Sequence, residues 1–437
     1  MTVQNEVDES PKIAIIGAGP CGLTAAKNML QQGLTRITVF ERNSHLGGNW
    51  IYGEHNEHSS VYETTHLISS NHMSKYEDYP MPAGYPDYPS HREMLTYFNG
   101  YADHFGLREV IRFNTKVIEV TRADNQQWHV VYSDERGQFD DYFDELLVAN
   151  GHHWDPLLPS YPGEFNGIQL HSHDYKKSAP FQDQRVLVVG GGNSGCDIAV
   201  EVSRVAAKTW ISLRSGQHVF PKFIFGKATD IAFSKINWLP NWCKQRLIAA
   251  VIGLVQGKYS KYRLKKPLGK PLEVHPTVNS ELLYFIRHGK IFPRDAIERF
   301  EGDVVHFVDG RQEAFDTIIY ATGYQISFPF FKPDLIDFSQ CSHIPLYRKM
   351  IHPEFPHLFF IGLFQPQGSI WPLADHQAKI AAGIIRGTLK RPKALLEKIA
   401  KETRRTRKHY RASSRHALEV DYQTFRKQLL KELKHSQ

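Results

Sequence analysis

A chain of 437 residues with 41% hydrophobic and 12% aromatic content is longer than one ordinary domain and can fill sizeable cores. Its net charge of +7 does not make it a nucleic-acid binder: from Arg386 onward 16 Lys and Arg face 5 Asp and Glu, residues 1–385 carry 37 against 41, and so the excess lies in the tail. Four scattered cysteines, Cys21, Cys196, Cys243 and Cys341, exclude a zinc cluster of local spacing and the cysteine pair of a disulfide reductase.

The opening "MTVQNEVDES" is acidic and polar and does not read as a signal peptide, which with the unpaired cysteines points to the cytoplasm. "IAIIGAGPCGLTAA" follows: an apolar run of strand length, the loop Gly17-Ala18-Gly19-Pro20-Cys21-Gly22, and a segment of helical composition. In that context G-x-G-x-x-G is a dinucleotide fingerprint, whose glycines make the turn, admit a pyrophosphate to the backbone and pack helix on strand. The alternating run "RITVFERN" brings Glu41 to a point 19 residues after Gly22. "WHVVYS" and "DELLVAN", around 128–150, supply further strands of this first unit.

The pattern returns in "VLVVGGGNSGCDIA", with Gly190, Gly192, Asn193, Ser194 and Gly195. "KTWISLRSGQ" then places Arg214, again 19 residues after the last glycine. Equal offsets predict equal structural addresses for Glu41 and Arg214. A carboxylate there accepts hydrogen bonds from the free ribose diol of FAD or NAD, whereas a guanidinium fork pairs with the 2′-phosphate of NADP.

Further along, "LIAAVIGLV" predicts a buried helix, with a membrane-surface patch as the secondary reading; it falls far short of the roughly 20 residues that span a bilayer. "FDTIIYATGYQISFPF" closes the second unit on Ala321-Thr322-Gly323-Tyr324, and "HLFFIGLF" and "ADHQAKIAAGIIRG" predict a strand and a helix returning to the first. "ALLEKIAKETRRTRKHYR" predicts a basic helix with a solvated face, lacking the aromatic platforms that single-stranded nucleic acid favours. The histidines, His55, His58, His66 and His72 among them, show no metal spacing, so no metal is expected. The fold expected is α/β, with two dinucleotide-binding, Rossmann-like domains, the second inserted into the first: 1–175, 176–320, and a return segment with the basic tail over 321–437.

Several short stretches together resemble the flavin-containing monooxygenase family. "FNGIQLHSHDY" matches F-x-G-x-x-x-H-x-x-x-Y through Phe165, Gly167, His171 and Tyr175, and "ERNSHLGGNW", "SSNHMSKYEDYPMP", "GNSGCDIA" and "ATGY" fall in the family's order. The resemblance implies FAD on the first domain, NADPH on the second, and molecular oxygen and a small amine or sulfide as the reacting partners. Oxygen transfer would pass through a C4a-hydroperoxyflavin. Asn71 would be the catalytic residue, at the flavin edge and NADP⁺. Asn49, Trp50 and Ser70 would line the FAD side, Asn193 and Ser194 the NADP pyrophosphate loop, and Thr322 a further cofactor contact. His171 is expected to position the two domains, Asn71 reads equally as a turn residue, and Trp50 as packing.

Tyr175-Lys176 stands where the Baeyer-Villiger fingerprint puts Trp-Pro or Trp-Asp, which favours heteroatom oxygenation over ketone insertion. The sequence ends without a hydrophobic tail and resembles the soluble members, with a homodimer left open. A Baeyer-Villiger or decarboxylating ketone oxygenase, and an NADPH oxidase or redox-sensing flavoprotein without organic substrate, remain as alternatives.

Overall fold

The computed structural model describes residues 10–53, 59–267, 269–273, 276–409 and 417–434. Most of the acidic N-terminal stretch, His55, His58 and the basic residues 410–416 lie outside the described residues. The chain is a mixed α/β protein built on two five-stranded parallel sheets.

The strand Ile13–Ile16 is apolar at every position because it forms the middle of a sheet covered on both faces. Spatially the first sheet runs Leu358–Phe360, Glu145–Val148, Ile13–Ile16, Ile37–Phe40, Ile111–Arg112. Helix α1 (Pro20–Gln31) leaves the glycine loop, α2 (Asn71–Ser74) is a single turn, and α3 (His91–His104) starts on a reciprocal cap between Ser90 and Glu93. The second sheet runs Ile291–Arg294, Lys208–Ser212, Arg185–Val189, Thr317–Tyr320, Ile168–His171. Its central strand feeds α4 (Asn193–Val202). Separate apolar clusters cover the two faces of each sheet.

Three features refine the sequence-based expectation. The strand Ile168–His171 pairs with Thr317–Tyr320, so the second sheet takes in residues upstream of 176. "WHVVYS" forms the expected strand, within an antiparallel meander of three strands, 116–143, beside the parallel sheet. The second unit carries its own three-stranded meander, 297–314, at the corresponding point of the chain, so the duplication extends beyond strand, loop and helix.

Between Lys208–Ser212 and Ile291–Arg294 the chain forms an excursion containing α5 (Thr229–Ser234), α6 (Asn241–Gln256) and α7 (Leu282–Arg287). Here "LIAAVIGLV" departs from the expected buried helix: α6 buries only Lys244, Ile248 and Ile252. No helix among the described residues is long and apolar enough to cross a membrane. The remaining helices, α8 (Trp371–Arg386), α9 (Leu395–His409) and α10 (Tyr422–Lys434), return to the first unit.

Helix α8 is fastened to α1 by buried charge. Lys27 Nζ lies 2.8 Å from Asp375 Oδ1 with both side chains nearly inaccessible, and the same oxygen accepts from Thr24 Oγ1 at 2.6 Å and Asn28 Nδ2 at 2.8 Å. Lys27 also pairs with the partly exposed Asp78 at 2.5 Å, so removing Asp375 leaves the buried ammonium one carboxylate and leaves Thr24 and Asn28 without their acceptor, where water cannot replace it. Asp375→Ala therefore lowers unfolding stability by about 3–5 kcal/mol, measured by urea denaturation. A loss below about 1 kcal/mol would mean that the Asp78 pair alone is enough for Lys27.

The chain crosses between the units twice, and the two crossings are laced together. Leu157 N–H donates to Gly323 O at 3.0 Å, Gln325 N–H to Asp155 O at 3.0 Å, and Thr322 Oγ1 to Leu157 O at 2.6 Å. His171 is 2% exposed and meets the Tyr324 ring edge-on at 5.2 Å. Burial pushes its pKa down to about 4, so it stays neutral at physiological pH.

Candidate functional site

Both glycine loops are built the same way. Gly17 has φ +102° and Gly190 φ +119°, and a Cβ on either would stand 2.7 Å from Ala149 O or 2.3 Å from Ala321 O. Side chains are thus barred twice over, by backbone conformation and by the neighbouring strand. A Cβ on Gly22 or Gly195 would strike the carbonyl of the first glycine, at 1.8 and 2.2 Å.

The middle glycines differ. Gly19 and Gly192 have φ of −72° and −70°, which any residue adopts. A Cβ on Gly19 would meet Gly48 Cα at an ordinary 3.5 Å, and one on Gly192 would meet nothing within 4 Å. Neither the backbone nor the surrounding protein demands glycine there. Each is the N-cap of its helix, no side chain caps the N–H groups, and neither first turn, led by Pro20 in α1 and Asn193 in α4, holds an acid. A helix N-terminus with free N–H groups and open space before it favours an anion. The bare glycine gives that anion access to the backbone.

Glu41 is 4% exposed and folds back onto its own loop. Its Oε2 accepts Ala18 N–H at 2.8 Å, and its Oε1 accepts the Asn43 backbone N–H and Nδ2, both at 2.9 Å. Burial raises its pKa while these bonds pull it back. Arg214 is exposed, and it does not occupy the equivalent address. In the first sheet residue 16 pairs with 40, an offset of 24, so Gly17 is level with Glu41; in the second, 189 pairs with 212, an offset of 23, so Gly190 is level with Leu213. Leu213 Cδ2 lies over Gly191, 2.6 Å from where a Cβ would be, much as the Glu41 carboxylate lies over Ala18. Arg214 stands one residue further out, past the strand end. Equal counting along the chain thus hid a one-residue shift in register.

The 47–50 turn closes over the first loop, with Gly47 N–H donating to Ala18 O at 3.0 Å. Asn49 Oδ1 accepts Ser60 N–H at 2.7 Å, and Trp50 meets Trp371, the first residue of α8, edge-on at 5.7 Å. Trp50 therefore packs on the core beside that helix start. Cys21 is wedged against Gly362, and burial raises its thiol to about 12, so it is no thiolate.

Asn71 donates through Nδ2 to Pro86 O at 3.0 Å, and its N–H donates to Asp87 O at 2.7 Å. The turn-holding role is thus present, and it leaves Oδ1 outside those bonds. Beside it, Ser70 N–H donates to Asp230 Oδ2 at 2.6 Å, joining the first unit to the excursion of the second. Ser70 Oγ is fully buried and, among the described residues, has no hydrogen-bond partner. In the second loop, Asn193 Oδ1 accepts Val278 N–H at 2.8 Å, and Thr277 Oγ1 donates to Gly191 O at 2.7 Å. Ser194 follows Asn193 on the first turn of α4. Thr322 holds the crossing described above.

Sequence reading missed Asp230, Thr277 and a trio of buried hydroxyls, Ser69, Ser74 and Ser369, bonded to one another at 2.5–2.9 Å beside α8. Serines and threonines in loops carry no periodic signal, and these come together only through long-range packing. Among the described residues no group of His, Cys, Asp and Glu side chains is arranged to hold a metal.

A family model described as flavin-binding monooxygenase-like matches residues 10–436. Over 439 aligned residues the chain is 35% identical to flavin-containing monooxygenase 5 of Rattus norvegicus, covering 94% of this chain and 80% of that one. Against flavin-containing monooxygenase 1 of Homo sapiens it is 34% identical, covering 96% and 82%. Among solved structures it is similar to S-allyl-L-cysteine S-oxygenase from Allium sativum, with a TM-score of 0.74, 23% identity and coverage of 97% and 89%. It is similar too to NADP⁺-bound cyclohexanone monooxygenase from Rhodococcus sp. Phi1, with a TM-score of 0.74, 16% identity and 98% coverage of each chain. At such identities the structural likeness concerns the fold alone.

Proposed function

Since the chain belongs to the flavin-binding monooxygenase-like family, we propose that it is an FAD-dependent, NADPH- and O₂-consuming monooxygenase that oxygenates amine nitrogen or sulfide sulfur, with FAD on the first unit and NADPH on the second. One observation carries the assignment of sites: two loops of the same construction each put a middle glycine that the backbone does not require at an uncapped helix N-terminus, while the charged residues beyond them have opposite sign. FAD, when bound, supplies hydride acceptance from NADPH and the activation of oxygen.

The chain's own residues then bind and orient. Backbone N–H groups at the starts of α1 and α4 hold the two pyrophosphates. Glu41, tied to Ala18, offers acceptor oxygens to a ribose diol, and its low exposure keeps that geometry fixed. Arg214, one residue further out and exposed, suits the extra phosphate of NADPH, which projects beyond the ribose. Asn71 Oδ1, which lies outside the bonds that hold its own turn, is the group assigned to the flavin and nicotinamide end. Thr322 and His171 hold the crossings and position the units.

Asn71→Ala is expected to retain yellow colour and reduction by NADPH, but to divert reducing equivalents from product to hydrogen peroxide. General positioning contributions of this kind are worth on the order of 10- to 100-fold. The measurement compares NADPH consumed, product formed and peroxide released, and unchanged coupling would defeat the role assigned to Asn71. The function itself is tested with an alkyl aryl sulfide, a tertiary amine and a cyclic ketone, following NADPH loss and product mass. Ester from the ketone with no oxide from the others would move the assignment to ketone insertion. NADPH loss indifferent to all three would leave an oxidase.

A further inference from the structure

The turn that carries Asn71 is fixed by a residue of the other unit. Asp230 Oδ2 accepts the Ser70 N–H at 2.6 Å, and its Oδ1 accepts the N–H of its own neighbour, Ile231, at 2.7 Å. Ser70 is the N-cap of α2 and Asn71 the first residue of that single turn, so the bond acts one peptide away from the Asn71 side chain. A helix of one turn is too short to hold itself and takes its order from tertiary contacts. A carboxylate suits this task, because its bond to a backbone N–H is shorter and stronger than one between neutral groups. Asp230 is also the single acid of residues 222–270, against eleven Lys and Arg, and its Oδ2 goes to an amide of the first unit.

The other side of the same turn is gripped from the same place. Asn71 rests on 86–87, through Nδ2 to Pro86 O and through its N–H to Asp87 O. Tyr88 comes next; its hydroxyl donates to Lys222 O, and its ring meets Phe223 edge-on at 5.3 Å. Thr229 N–H donates to the same Lys222 carbonyl at 2.9 Å and closes a hairpin, in which Phe223–Ile224 pairs with Lys227–Ala228, directly before Asp230. The strand leading into that hairpin, Val219–Phe220, pairs with Thr277–Val278. Those two residues brace the second glycine loop at Gly191 and Asn193. Hydrogen bonds and short lengths of chain thus connect the second loop to both sides of the Asn71 seat.

We propose that Asp230, with Tyr88 as its counterpart across the seat, is a positioning residue: given the role assigned to Asn71 above, it sets that side chain toward the flavin and nicotinamide end and ties its placement to the seating of the second glycine loop.

The test takes two readouts on the FAD-loaded chain. Hydrogen exchange, followed by mass spectrometry on the peptide covering 69–76 without nucleotide or substrate, reads the Ser70 amide. Asp230→Ala is expected to speed its exchange by roughly 10- to 150-fold, the worth of a hydrogen bond to a charged group. Turnover with NADPH and an alkyl aryl sulfide reads the consequence. Asp230→Ala stays yellow and is reduced, but its ratio of peroxide to oxide rises by roughly 10-fold. Adding Asp230→Ala to Asn71→Ala changes that ratio no further, since both act through one side chain. Asp230→Asn keeps an acceptor oxygen and recovers most of both readouts, and Tyr88→Phe shifts both in the direction of Asp230→Ala.

Full coupling in Asp230→Ala, where Asn71→Ala has lost it, would overturn the positioning role alone. Full coupling in Asn71→Ala would remove the role of Asn71 and the positioning role with it. Effects of the two changes that add in full would also overturn the proposal, as would an unaltered rate of exchange at 69–76. If Asp230→Ala loses its FAD, Tyr88→Phe decides in its place, and unchanged exchange and coupling there overturn the proposal.

Discussion

Replacing Gly192 by valine leaves a folded, yellow protein whose anaerobic flavin reduction by NADPH falls by about 100-fold or more, two or more charge-assisted hydrogen bonds being lost at about 1.5 kcal/mol or more each. The variant is informative because nothing in the protein resists it. Gly192 has an ordinary φ of −70°, and a Cβ there has no neighbour within 4 Å. The first side-chain atom meets no protein atom and stands before the α4 N-terminus, so the loss tests what that space holds. Thermal stability and FAD content are the controls, and unchanged reduction by NADPH would show that the second loop holds no pyrophosphate. Gly190→Val offers the contrast: with φ +119° and Ala321 O in the way, it damages the fold itself.

Arg214→Ala is expected to weaken NADPH use by roughly 10- to 150-fold while leaving NADH use nearly unchanged, from a contribution of about 1.5–3 kcal/mol for a hydrogen bond to a charged group. Arg214 is exposed and lies beyond the strand end, so its removal costs the fold little. The comparison of both nucleotides in anaerobic reduction separates a phosphate contact from a structural role. Equal losses with NADH and NADPH would assign Arg214 to the adenine or to packing.

What could be read from sequence followed from how tightly physics constrains each piece. The glycine loops were legible because close backbone approaches and positive φ leave no other residue at Gly17, Gly22, Gly190 and Gly195, and the parallel strands because double burial makes them apolar throughout. The three-stranded meanders were not recognised as a second level of duplication, because one-sided strands alternate and their exposed faces are free to differ. The small negative total of residues 1–385 conceals the cationic 222–270 within acidic surroundings. An apolar run such as "LIAAVIGLV" reads as core by composition, and only the neighbours of α6 reveal which side of it is covered. Ser70 carried no sign of its orphan hydroxyl, which emerges from tertiary packing alone.

The one-residue register shift between the two units bears on redesign of coenzyme preference. Exchanging Arg214 for glutamate would put the carboxylate one residue beyond the position that Glu41 holds in the first unit, so it is expected to give an enzyme poor with either nicotinamide coenzyme. The seat corresponding to Glu41 belongs to Leu213, level with Gly190 and lying over Gly191. Conversion to NADH therefore calls for a carboxylate at Leu213 together with loss of the cation at Arg214, so that specificity is rewritten by moving a side chain's anchorage as well as its sign.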